Sequence, residues 1–181
     1  MERGHPARLR LRAQGAPAHH PLRPPRQRRR PRAVLLRRRA HPSGQAGPLF
    51  FQLPPTLKKE TARLADTLYL VPPDVRCAFE FRHASWFADD VYEVLRARNA
   101  ALCIADNEEG ATSAVATADW GYLRLRAVEY SDAALAGWVE TVRGVGAGWR
   151  DAFVFFKHED AATGPLLARR FEALAAARAS A

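Results

Sequence analysis

From Pro48 onward the chain alternates short apolar runs with amphipathic stretches, the pattern of βα units around a parallel sheet. The apolar runs predict strands at Leu49–Leu53, Arg76–Phe81, Ala101–Ala105, Gly121–Leu125 and Ala152–Phe156. Between them, apolar residues recur at helical spacing. Leu57, Leu64 and Leu68 mark Thr56–Leu70, Val91, Val94 and Leu95 mark Asp89–Arg98, and Leu135, Trp138 and Val142 mark Ser131–Val145. Gly164–Ala177 is the fourth helix. Ser131 reads as an N-cap, with Asp132 in the first turn, while Pro54-Pro55 and Pro72-Pro73 end what precedes them. The fold class is α/β, a partial TIM-type (β/α) barrel of five strands where a whole barrel has eight.

Residues 1–47 break this pattern. They hold 13 Arg, no Lys and one acid, a net charge of +12, together with seven of the 13 Pro. All 17 aromatic residues lie after them. Residues 48–181 carry 15 basic and 18 acidic residues, so the +9 of the whole chain joins two unlike segments. A stretch with so few large apolar side chains cannot bury a core and reads as disordered.

Three readings of this segment compete. One is an arginine-rich arm that neutralises phosphates and binds nucleic acid without sequence preference. Another is a solvated tail. The third, adopted here, is out-of-frame translation, because Arg, Pro, Ala, Gly and His without Ile, Asn or Thr is what G+C-rich DNA yields in the wrong frame. Codons permitted for Leu11 to Pro25, shifted by one nucleotide, can encode FALKAHRHITHYAR, and those for Arg26 to Arg39 can encode LANAADPAPFFFAA. The expected division is therefore an Arg/Pro-rich segment, 1–47, and a barrel portion, 48–181, with the frame restored near Ser43.

Further classes lack support. The longest apolar run of the basic segment, Ala33 to Leu36, is too short for a signal-peptide core or a membrane span, which leaves a cytoplasmic address and no membrane partner as the expectation. Cys77 and Cys103 have no CxxC or CxxH spacing, which argues against a disulfide scaffold or structural zinc. No GxGxxG, Walker-type loop, GxSxG elbow or HExxH helix occurs, and no cofactor is specified.

At FFQLPP (Phe50–Pro55), AFEFRHASWF (Ala78–Phe87), ALCIAD (Ala101–Asp106), TADWGYLRLR (Thr117–Arg126) and FVFFKHED (Phe153–Asp160), the chain resembles the YecE-like family, the prokaryotic domain of unknown function number 72. The resemblance runs across residues 47–175 and implies a TIM-type barrel. It also implies a segment like FAxKAxRxITHxxRL upstream of QLPP, close to the string recovered from the shifted frame. Arg124–Ala127 reads RLRA where the family has RLHG, and Lys157-His158-Glu159-Asp160 stands where its last strand ends in Asn-Asn-Asp. The first barrel strands are missing by this comparison. A truncated barrel, with unpaired edges and bare apolar inner faces, is expected to fold poorly.

Alternate strand residues of a barrel point inward, and functional groups gather at the C-terminal strand ends. Here that alternation turns Phe79, Phe81, Leu123 and Leu125 toward the helices and Ala78, Glu80, Arg82, Tyr122, Arg124 and Arg126 inward; Phe153, Phe155 and Lys157 share one face. The expected mouth holds Gln52, Glu80, Arg82, Tyr122, Arg124 and Lys157, with His83, Asp106 and His158 starting the loops. Glu80, Arg82, His83 and Asp106 are the catalytic candidates. Gln52, Tyr122, Arg124, Lys157 and His158 are the substrate-binding ones.

The mouth carries a positive excess. It reads either as a pocket for a small anionic or phosphate-containing ligand or as an internal Glu80–Arg82–Arg124 ion network. His83 reads as a general base or as a loop hydrogen-bonding group. A metal set of His83, Asp106, His158 and Glu159 is not demanded by spacing. Trp86 and Phe87 are expected to pack on the following helix. Reaction type and oligomeric state are not specified, and nucleic-acid binding through the basic arm is the alternative function.

Overall fold

The computed structural model describes residues 47–107, 110–127, 129–156 and 163–177. In chain order the elements are β1 (Leu49–Gln52), α1 (Thr61–Tyr69), β2 (Cys77–Glu80), a single 3-10 turn (Ala84–Trp86), α2 (Asp89–Arg96) and β3 (Ala101–Asn107). They continue with β4 (Gly110–Ala111), β5 (Gly121–Leu125), α3 (Asp132–Val145), β6 (Ala152–Phe156) and α4 (Thr163–Ala177). Strands β1, β2, β3, β5 and β6 lie side by side in that order, all parallel, and curl into a half-barrel; β4 pairs antiparallel with β3 at its exit. The expected five strands and four helices are all present.

The helices cover one side of the sheet. Leu64 and Leu68 of α1 and Val91 and Leu95 of α2 bury against Phe79, Phe81 and Leu102. Leu135 and Val139 of α3, with Leu167 and Phe171 of α4, bury against Ile104, Leu123, Leu125 and Val154. Each such side chain contributes about 1.5–3 kcal/mol by leaving water. Trp86 joins this layer, stacked on Phe81 with centroids 4.6 Å apart, as expected for a packing residue. On the concave side Ala78, Ala101, Cys103 and Ala105 are small, and the rings of Trp120 and Tyr122 fill the space they leave.

Several boundaries differ from the sequence pattern. Helix α1 starts at Thr61, five residues after the expected Thr56. Backbone groups just before it are already engaged elsewhere: Trp86 Nε1 donates to the Leu57 carbonyl (2.8 Å), and the Lys59 N–H donates to Ser85 Oγ (2.8 Å). Strand β3 runs two residues beyond Ala105 because Asp106 and Asn107 pair with β4. At the start of α3, Ser131 Oγ does accept from the Ala134 N–H, at 3.1 Å.

Among the described residues no helix links β3 to β5, and residues 112–120 make the connection without regular secondary structure. Its threonines serve the strand backbone. Thr117 Oγ1 accepts from the Leu102 N–H and donates to the Ala100 carbonyl, both at 2.8 Å, and Thr112 Oγ1 accepts from the Ala105 N–H at 2.9 Å. Asn99, at φ 49°, adopts the left-handed conformation that Asn tolerates. Its side-chain amide exchanges hydrogen bonds with Asp119 across the turn.

At the opposite end of the strands from the expected mouth, Arg76 pairs with both carboxylate oxygens of Asp151 at 2.9 Å and stacks 5.5 Å above the Trp120 ring. This contact ties the entrance of β2 to that of β6. Trp149, in the link from α3 to β6, lies between two glycines. A Cβ at Gly121 or at Gly146 would come within 2.3 Å of its ring.

Candidate functional site

The charged centre forms at the C-terminal end of β2. Parallel pairing sets Gln52 beside Glu80 and Ala105 beside Arg124, and strand alternation turns these inward. Glu80 is only 2% exposed, and its carboxylate is surrounded by donors. Oε1 accepts from Gln52 Nε2 (2.7 Å) and Arg82 Nε (3.2 Å), while Oε2 accepts from Arg124 and lies 4.0 Å from Cys103 Sγ.

The protonation states follow from these surroundings. Burial pushes the Glu80 carboxyl upward, but the Arg124 charge and the hydrogen bonds from Arg124, Gln52 and Arg82 outweigh it and hold it below its ordinary value. Burial, reinforced by the Glu80 charge, lifts the Cys103 thiol well above its usual range. Burial also raises the Tyr122 phenol. Among the described residues the centre therefore contains, at neutral pH, one carboxylate, two guanidinium groups, a neutral thiol and a neutral phenol, a net charge of +1.

The two arginines are held differently. Arg124 is 13% exposed along its side chain and lies 4.8 Å above the Phe50 ring, which stacks on Tyr122 at 5.2 Å. Arg82 is 40% exposed along its side chain and uses only Nε toward Glu80. Its two terminal nitrogens carry no hydrogen bond among the described residues, leaving a partly exposed donor edge.

The remaining candidates divide. Asp106 stands apart from the Glu80 group: Ala105 before it faces inward, so Asp106 faces the helix layer, where its Oδ2 accepts from the Tyr130 hydroxyl at 2.6 Å. That hydroxyl also accepts the Ala127 N–H at 3.0 Å, closing the loop between β5 and α3. Burial and the Asp106 hydrogen bond raise the Tyr130 phenol. His83 is engaged locally, its Nδ1 accepting from the Ser85 N–H at 3.1 Å and lying 2.9 Å from Ser85 Oγ. Lys157, His158 and Glu159 lie outside the described residues.

Three residues now belong to the picture that the spacing of polar groups did not select. Cys103 and Phe50 were available from strand alternation but are not obvious chemistry. Tyr130 sits 24 residues from the carboxylate it meets, and no local pattern announces that pairing. Among the described residues there is no group of three or more His, Cys, Asp or Glu placed to hold a metal ion, and no helix long and apolar enough to cross a membrane.

A curled parallel sheet with helices on its convex side and ionic groups at the C-terminal strand ends defines a (β/α)-barrel type of protein. The profile described as "Protein of unknown function DUF72" matches residues 9–181, so the chain belongs to the DUF72 family. The match begins inside the Arg/Pro-rich segment. No curated protein matches the chain.

Solved relatives support the fold. A DUF72 family protein of Enterococcus faecalis V583 is similar at 14% identity and TM-score 0.63, over 80% of this chain and 62% of that one. A second crystal structure of that protein gives TM-score 0.62 and 15% identity, over 78% and 64% of the two chains. A DUF72 family protein of Thermotoga maritima MSB8 is similar at 19% identity and TM-score 0.55, over 69% and 56%. The chain thus spans about three fifths of the length of these relatives.

Proposed function

We propose that the protein binds a small anion at the C-terminal strand ends, with Arg82 and Arg124 as the recognising groups and Gln52 and Glu80 holding them in place. The reading is carried by one observation: Arg82, tethered through Nε by a buried carboxylate, keeps both terminal nitrogens unpaired among the described residues. A guanidinium edge fixed in this way matches phosphate or carboxylate oxygens without further ordering. The net +1 of the centre favours an anion of single charge or more. The internal ion network is then the frame of the site. No reaction follows from it: His83 is engaged through Nδ1 by its own turn, and Asp106 by Tyr130.

Calorimetric titration of the full chain with inorganic phosphate, and separately with acetate, tests this. Saturable binding of at least one is expected, weakened about tenfold or more in Arg82→Gln, in keeping with the loss of a charged hydrogen bond. No heat from either anion would overturn the reading.

The second reading, nucleic-acid binding, is favoured by one feature, the 13 Arg against one acid in residues 1–47. It expects DNA affinity that falls steeply with added salt and disappears when those residues are deleted. Unchanged affinity in the deletion would eliminate it.

A further inference from the structure

Among the described residues β1 pairs with β2 alone and β6 with β5 alone, so each outer strand keeps one row of main-chain groups open. The Leu49 and Leu53 N–H groups donate to the Arg76 and Glu80 carbonyls at β2, which turns the main-chain groups of Phe50 and Gln52 outward. On the other side the Asp151 carbonyl accepts from Gly121 of β5, and the same alternation turns those of Ala152, Val154 and Phe156 outward. Free edges of natural sheets are ordinarily guarded by charges, Pro or bulges. These two read LFFQ and AFVFF, with neither charge nor Pro. All of β1 is half-buried, as are Phe153, Phe155 and Phe156 of β6, whereas the inner strand β2 is buried throughout.

The helix layer is open at the same two places. Tyr69, 80% exposed, Leu166, 60% exposed, and Leu70 are the large apolar side chains left in water among the described residues. Tyr69 and Leu70 end α1, which shares a cluster with Leu49 and Phe51 of β1. Leu166 lies on α4, whose Phe171 meets Phe156 of β6 at 5.9 Å. None of the three belongs to the inner helices α2 and α3. Helical spacing puts Ala62 and Asp66 on one exposed stripe with Tyr69, and Arg169 and Ala173 on one with Leu166. Asp66 and Arg169 have no ion-pair partner among the described residues.

We propose that two copies of this chain pair about a twofold axis along the barrel, β6 and α4 of each against β1 and α1 of the other, closing their parallel strands into one barrel. A half-turn about that axis keeps strand direction, makes the same seam twice and leaves no open edge. Across each seam the free acid of α1 complements the free guanidinium of α4, and Tyr69 and Leu166 leave water. Five strands from each copy enclose a wider interior than eight do, and Phe50, Trp120, Tyr122, Phe153 and Phe155 supply the bulk to fill it. Residues 1–46, with 13 Arg and no aromatic residue, match neither the apolar edges nor Arg169, so the second copy is the better occupant.

Sedimentation equilibrium of the full chain at micromolar concentration is expected to give twice the mass of one chain and no larger species. Asp66→Arg and Arg169→Asp are each expected to weaken the pair about tenfold or more, because like charges then face each other in both seams. The double exchange is expected to restore the affinity to within about threefold of the parent, which general loss of stability would not do. Leu166→Glu tests the apolar contact separately and is expected to give monomer. A parent chain that stays monomeric, a mass that climbs with concentration without a plateau, a dimer indifferent to all three single substitutions, or a double exchange no tighter than the single ones would overturn the proposal.

Discussion

Glu80→Ala is expected to destabilise the folded chain by about 3–5 kcal/mol, because it strips the carboxylate that pairs with two arginines in a buried setting. The side chain is 3% exposed, so water cannot replace the lost partner without opening the sheet. Arg124, 13% exposed along its side chain, would be left with its charge above Phe50 and no counter-ion in the centre among the described residues. Glu80→Gln is the milder change. It retains the shape and one acceptor while removing the charge, and its cost is expected to fall between those of alanine and the parent residue. Denaturant unfolding of parent and variants measures both, and a change below about 1 kcal/mol for alanine would mean that Glu80 is not the residue organising the mouth.

The same carboxylate sets a pH dependence. Its folded-state pKa lies below the ordinary value of about 4.5, so its stabilising contribution is complete above that pH and is lost as pH falls toward the folded value. Parent and Glu80→Gln are therefore expected to differ most near neutrality and to converge in acid. A gap that stays constant from pH 7 to pH 3 would place the stabilisation in packing rather than in charge.

Gly121→Val is expected to cost at least ~3 kcal/mol, at the upper end of what overpacking a core does. Gly121 opens β5, and the added Cβ would lie 2.3 Å from Trp149. The indole has little room to retreat, because Gly146 holds the ring equally closely and the Val142 carbonyl is 2.4 Å from where a Gly146 Cβ would lie. The displacement would strike the helix-side cluster that contains Trp149, Leu123 and Val154. Thermal unfolding should show a loss of many degrees, with Gly137→Ala on α3, where a Cβ meets nothing within 4 Å, as the neutral comparison. Equal melting temperatures for Gly121→Val and Gly137→Ala would refute the close packing.

The extent to which the sequence spoke for itself varies by element. Strand β6 and the start of α3 were legible to the residue, since a five-residue apolar run and a Ser-Asp cap are local signals. The start of α1 was not. Its expected first turn is held open by Trp86 and Ser85, whose contacts with Leu57 and Lys59 come from 29 and 26 residues away, respectively. The missing helix between β3 and β5 agrees with the pattern, but nothing local foretold that Thr112 and Thr117 would serve the β3 backbone.

The site divides along the same line. Alternation within single strands determined that Glu80, Arg82, Tyr122 and Arg124 share the concave face, because a period of two depends only on each strand's own pleat. It left Asp106 in the group only because the apolar run of β3 ends at Ala105, one residue short of it. Its place outside the group depended on where β3 ends and on Tyr130 arriving to take the carboxylate. Alternation could not decide which of two arginines Glu80 binds through each oxygen, or that Phe50, Tyr122 and Phe155 form one row. The chain by itself determined its strands, its helix faces and the family to which they point, all of them consequences of short-range periodicity. Only the tertiary structure decided partners, because the register between strands and the curl of the sheet bring together groups that no local spacing relates.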